Sequence, residues 1–142
     1  WYSWTIKKTN IFNTELLTPD KKRIIIPNSD ISNWTLTNYS AETKRRMDLV
    51  IWVSYSDDID KVKKTLLEIA EAEERILTSE DITIWLMELG DSSVNFAFRF
   101  YVKKADYWPV KFDILEKVKK TFDKKKISFP FPQRDIHMYN EK

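Results

Sequence analysis

Val94-Asn95-Phe96-Ala97-Phe98-Arg99-Phe100-Tyr101-Val102 is the stretch on which the fold turns. Five large apolar side chains stand at every second position, so an extended backbone puts all of them on one face, which no helix of period 3.6 would do. A strand with so apolar a face belongs at the heart of a core. Immediately upstream, Gly90 with Asp91 supplies a turn, and Ile82, Ile84 and Leu86 alternate as the strand before it.

Farther out, the pattern alternates between strand and helix. Leu49, Ile51, Val53 and Tyr55 fall on one face of an earlier strand, after which Asp57 or Asp58 offers an N-cap. Ile59, Val62, Leu66, Ile69 and Ala70 then recur at helical spacing with Lys61, Lys63, Glu68 and Glu71 turned outward, which predicts an amphipathic helix to about Arg75. Downstream, Pro109 at a first-turn position opens a second helix, with Phe112, Leu115, Val118 and Phe122 expected on its inner side and lysines at its end. Residues 127–129 read as a last strand. Strand, helix, strand, strand, helix, strand is the order of a ferredoxin-like domain, an α+β fold with both helices on one face of an antiparallel sheet.

Ahead of residue 45 the periodicity differs. Ile11-Phe12, Leu16-Leu17, Ile24-Ile25-Ile26 and Trp34-Thr35-Leu36 are short extended runs, and Pro19-Asp20 and Pro27-Asn28-Ser29 favour tight turns between them. This spacing predicts a small β-barrel or curled sheet. At the other end, Phe129-Pro130-Phe131-Pro132 is too rich in proline for a central strand, and residues 135–139 alternate again, as a short extended segment leaving the domain.

Bulk chemistry narrows the function. Across 142 residues, 24 Lys and Arg stand against 22 Asp and Glu, and a net charge of +2 is far from the basic excess of a phosphate-tracking surface. Nucleic acid is therefore not an expected partner. With no cysteine, thiolate catalysis and sulfur-ligated metals are excluded, and the single histidine, His137, has no second histidine to share a metal with. One glycine, Gly90, excludes a glycine-rich phosphate loop, and Ser92-Ser93 has no histidine at a usable spacing. Glu68, Glu71, Glu73 and Glu74 read as a solvated, charge-paired surface, and the lysines at 117, 119, 120 and 124–126 as a helix's exposed face. The chain is expected not to be an enzyme and to need no cofactor or metal. No uncharged apolar run approaches the roughly 18–20 residues of a membrane helix, and Trp1-Tyr2-Ser3-Trp4 lacks the regions of a signal peptide, so a soluble stretch is expected. Two alternatives share this strand order: an RNA-binding module, in which Phe96, Phe98 and Phe100 would be a base-stacking platform, and a small-molecule regulatory domain. The apolar company of Val94 and Val102 favours a core over stacking.

Ile11-Phe12-Asn13-Thr14, Arg23-Ile24-Ile25-Ile26-Pro27-Asn28-Ser29 and Thr37-Asn38-Tyr39-Ser40, followed by Arg45-Arg46, Tyr55, Asp58-Ile59-Asp60, Glu88-Leu89-Gly90, Trp108 and Ile127-Ser128-Phe129-Pro130-Phe131-Pro132-Gln133, together resemble the small-conductance mechanosensitive channel family. The resemblance runs through nearly the whole chain in order. It implies a Sm-like β domain at residues 1–45, the ferredoxin-like domain at 46–128, and a C-terminal strand at 129–142 that closes a barrel with its copies. It also implies a homoheptamer enclosing a vestibule on the cytoplasmic face of the inner membrane, with side portals for ions and small solutes, and a parent channel that opens under tension at osmotic downshock. Contact with the membrane would come only through transmembrane helices outside this sequence. Subunit contacts are expected from Pro27, Asn28, Asn38 and Tyr39, and from Phe129, Pro130, Phe131, Pro132, Ile136 and Met138. Trp1, Trp4, Trp34 and Trp52 stand where the resemblance implies glycine, and Trp52, inside a strand, is expected to overpack at a cost of about 1–3 kcal/mol.

Overall fold

The computed structural model describes residues 4–136 as two compact units, divided between Tyr39 and Ser40. Trp1, His137 and Met138 lie outside the described residues.

The first unit is a three-stranded antiparallel sheet of β1 (Thr5–Thr9), β2 (Asn13–Leu17) and β3 (Arg23–Pro27), in that order. Thr14 pairs with Ile26 and Leu16 with Ile24, which sets these four side chains on one face. Pro19-Asp20 makes the β2–β3 turn as expected, and its return is carried by Lys21 in the left-handed region at φ 67°. Three expectations change. Pro27-Asn28-Ser29 opens a single helical turn, α1 (Asn28–Ser32), because proline presets the backbone entering a helix as readily as it does a turn. Ile11-Phe12 forms the β1–β2 loop instead of a strand, and Trp34-Thr35-Leu36 lies outside any strand.

The second unit holds β4 (Lys44–Val53), α2 (Ile59–Glu71), β5 (Thr83–Leu89), β6 (Val94–Lys103), a 3-10 turn at Lys104–Asp106 and α3 (Tyr107–Lys125). It is α+β, with sheet order β4-β6-β5 and antiparallel pairing throughout. β6 is the central strand, and Val94, Phe96, Phe98, Phe100 and Val102 are all buried, as their alternation predicts. Met47, Leu49, Ile51 and Val53 of β4 meet them from one side, while Ile84 and Leu86 of β5 pack from the other. α2 covers this face with Val62, Leu66, Ile69 and Ala70. Asp58 is the cap, accepting a bond from the Lys61 N–H at 2.7 Å. Ile59 and Tyr55, read from sequence as facing inward, are exposed.

α3 is rotated from its expected phase. Val110, Ile114, Val118 and Phe122 face the core, whereas Phe112 and Leu115 are exposed and share an outer stripe with Trp108, whose ring stacks on Phe112 at 6.2 Å. The helix ends on Lys126 at φ 54°, where the Ile127 N–H bonds Phe122 O at 2.9 Å and the Lys126 N–H bonds Asp123 O. Such an ending favours glycine, since a side chain there crowds its own carbonyl by about 1 kcal/mol. Lys126→Gly is therefore expected to raise the melting temperature by about 4 °C, checked by thermal circular dichroism.

The strand expected at residues 127–129 is absent. Ile127 is buried and Phe129 stacks on Phe122 at 5.4 Å, but only Ser128 makes a backbone bond toward β4, accepting from the Ser54 N–H at 3.0 Å, just past that strand's end. Proline at 130 and 132 removes the donors a longer ladder would need. Trp52 does not overpack. It points to the sheet face opposite the helices, across from Asn95, and is 53% exposed.

Candidate assembly surfaces

In the first unit the expected contact residues divide into those consumed internally and those displayed. Asn28 is consumed. Its side-chain amide donates to Asn10 O and Ile11 O, both at 2.9 Å, its Oδ1 accepts from the Thr14 hydroxyl at 2.8 Å, and its backbone N–H donates to Phe12 O at 2.9 Å. These four bonds close the β1–β2 loop from beneath, so that Ile11 and Phe12 at its tip stand 86% and 82% exposed. Pro27 ends β3 on an exposed position, and Tyr39 is about half exposed; Asn38 lies between β3 and β4 with it.

The displayed apolar residues Ile6, Ile11, Phe12 and Ile25 were not singled out by the sequence as contacts. The adjacency Ile11-Phe12 carried the signal, because two large apolar residues in sequence put one on each face of a strand, and in a loop expose both. Leu16 and Thr14 are the only buried residues among the described residues of this unit. A sheet of this size cannot be stable on that core alone.

In the second unit, Phe129, Pro130, Phe131, Pro132 and Ile136 follow α3 in one extended run. Phe129 and Pro130 are half-buried, while Phe131 and Ile136 are 77% and 80% exposed. Met138 lies beyond the described residues. The run is pinned to its own unit at Ser128 and at Gln133, whose N–H reaches Ser92 Oγ at 3.1 Å.

Several of the charged candidates are paired. Lys119 binds Asp123, Lys120 binds Glu116, and Lys125 crosses to Glu68 on α2. Glu73 departs from the solvated acidic face assigned to it. α2 stops at Glu71, and the chain turns Glu73 inward to 5% exposure, where the Arg75 Nε and the Lys117 Nζ each donate to it at 2.6 Å. The Arg75 hydrogen bond holds its carboxyl down at about 2 although burial pushes the other way, and Lys117 adds to the lowering. Phe96, Phe98 and Phe100 are fully buried, so they form no stacking platform. Among the described residues no helix is long and apolar enough to cross a membrane, and no cluster of metal-ligating side chains is found.

The model of the family described as mechanosensitive ion channel MscS, C-terminal, matches residues 47–129, and that of the mechanosensitive ion channel beta-domain matches residues 3–41. A small-conductance mechanosensitive channel of Edwardsiella ictaluri is 42% identical over 135 residues, covering 95% of this chain and 47% of that protein. An MscS family protein of Buchnera aphidicola is 43% identical over 140 residues, covering 99% of this chain and 46% of that protein. The crystal structure of Helicobacter pylori MscS in a closed state superposes with a TM-score of 0.93 at 29% identity, over 99% of this chain and 56% of that chain. The chain thus spans about half the length of the curated relatives it matches. On the strength of these matches, which run through both units, the chain belongs to the MscS family of mechanosensitive ion channels.

Proposed function

We infer that this chain is the vestibule and assembly module of a tension-gated channel that releases ions and small solutes at osmotic downshock. It does no chemistry of its own; it assembles with copies of itself beneath a membrane-spanning part. The observation that carries the reading is the first unit's unburied apolar surface. Ile6, Ile11, Phe12 and Ile25 are displayed on a sheet whose β1 and β3 edges have no strand partner among the described residues. Surface of this kind is stabilised when neighbouring copies cover it and pair its edges.

In this reading residues 1–45 are a Sm-like domain, whose strands join those of the next copy around a sevenfold ring at the cytoplasmic face of the inner membrane. Residues 46–128 are a ferredoxin-like domain. The order β4-β6-β5 supplies three of its four strands, and Ser128 stands where the fourth would join β4. Residues 129–142 leave the domain to form a strand that only its copies can complete, and ions and small solutes pass through side portals of the vestibule.

Light scattering of the chain tests this directly. The expected mass is that of a closed ring of seven copies. Phe12→Asp together with Ile11→Asp should lower that mass toward one copy while the second unit, which has its own core, keeps its urea midpoint, because both substituted side chains lie in the first unit and are exposed in the single chain. A parent chain that is monomeric at every concentration would overturn the reading.

A further inference from the structure

The way the chain leaves the second unit is more tightly specified than an extended tail requires. At the end of β4, the turn at residues 54–57 offers one donor and one acceptor to a single residue. The Ser54 N–H donates to Ser128 O at 3.0 Å, and Asp57 Oδ2 accepts from the Ser128 N–H at 2.8 Å. Both backbone groups of Ser128 are thereby satisfied without a strand on either side of it. One residue earlier, Ile127 is buried and bonded to Phe122 O; one residue later, the Phe129 ring stacks on Phe122 at 5.4 Å. Pro130 and Pro132 need no partner for a backbone N–H and stiffen the next step. The chain is then caught again, by the Gln133 N–H on Ser92 Oγ at 3.1 Å in the turn between β5 and β6.

We propose that residues 127–133 form a strap, fastened by Asp57 at one end and Ser92 at the other, that sets the point and direction in which the C-terminal segment leaves the unit, and that Asp57 is thereby a positioning residue for self-assembly. The proposal rests on the reading that residues 129–142 join copies of the chain. Several strands close a barrel only if each arrives at the same place with the same tilt. A tail held by these three hydrogen bonds presents itself in one orientation, so that association need not also order it. An unfastened tail reaches the same partners with the ordering cost added to its association. The partner that the strap serves is the same C-terminal segment of other copies, and Asp57 acts on that assembly through its bond to Ser128.

The experiment compares the parent chain with Asp57→Ala, Asp57→Asn, Ser92→Ala and a chain ending at residue 133, by sedimentation across a concentration series and by amide hydrogen exchange. Asp57→Ala removes the acceptor, whereas asparagine keeps one at the same reach. Asp57→Ala is expected to speed exchange at Ser128 about tenfold and to weaken self-association about tenfold, with β6 amides unchanged and Asp57→Asn close to the parent. Ser92→Ala should do the same at Gln133 more weakly, and it serves if Asp57→Ala does not fold. Unchanged association in Asp57→Ala, alongside a truncated chain that dissociates, overturns the strap while leaving tail-mediated assembly standing. If the truncated chain still assembles like the parent, the tail reading falls instead. The strap is then judged on exchange alone: Ser128 protected in the parent and released in Asp57→Ala keeps it, and equal exchange in both overturns it.

Discussion

Phe98→Ala is expected to destabilise the second unit by about 3–5 kcal/mol, enough to unfold much of it at moderate temperature. Phe98 is fully buried at the middle of β6, pairs with Leu49 of β4 on one side and Ile84 of β5 on the other, and meets the Phe100 ring at 5.0 Å. Removing the ring leaves a void bounded by two neighbouring strands, and strands held by ladder hydrogen bonds close over a void less readily than loops do. The urea midpoint of the second unit, followed at fixed protein concentration, reads the loss. Trp52→Gly is the contrast on the opposite face, where the half-exposed indole fills no core and the change is limited to weakening a strand by about 1 kcal/mol. An alanine at 98 that cost no more than the change at 52 would show that the alternating phenylalanines are not the core.

β6 was legible because a two-residue period admits one assignment: five apolar side chains on one parity leave no other face to bury. α3 was less legible. Its sequence carries two overlapping apolar stripes, Val110 with Ile114, Val118 and Phe122, and Trp108 with Phe112 and Leu115, and both have helical spacing. Hydrophobicity alone favours the aromatic stripe. The core admits the stripe with the smaller side chains, three aliphatic residues and Phe122, because the phenylalanines of β6 already fill much of the space beneath the helix. In the first unit the strands were half legible. Alternation marks β2 and β3, but nothing local says that Ile11-Phe12 forms a loop, since the bonds that hold it there come from Asn28, seventeen residues on from Ile11. Nor does the sequence show that Asn28, expected at a subunit contact, spends its side-chain donor and acceptor inside the unit, beneath the loop that displays Ile11 and Phe12. The strap across Ser54, Asp57, Ser92 and Ser128 is invisible in the sequence for a similar reason: small polar residues reveal a role only when the fold brings together turns some seventy residues apart.

Glu73→Gln is expected to cost the second unit about 2 kcal/mol near neutral pH, and less in acid. The carboxylate is 5% exposed and takes charged hydrogen bonds from Arg75, which also binds Asp113 at 2.6 Å, and from Lys117, so it ties the end of α2 to α3. Leaving two cations facing a neutral amide would cost more in a sealed interior, but the Arg75 and Lys117 side chains are 34% and 44% exposed and water screens them, which brings the figure down to about 2 kcal/mol. The pH dependence follows from the carboxyl being held at about 2, below its ordinary value of 4.5. In the unfolded chain Glu73 takes up its proton as pH falls through 4.5, while in the folded chain it resists until about 2. Its stabilisation is therefore complete above pH 4.5 and is lost as pH falls from there toward 2. Glutamine has no proton to take up, so the gap between parent and variant should be full at pH 7 and shrink to about half or less by pH 3. Urea midpoints at the two pH values measure it. A gap that stays constant with pH would mean that Glu73 contributes shape and hydrogen bonds but no charge, and that Arg75 and Lys117 are held by their other neighbours.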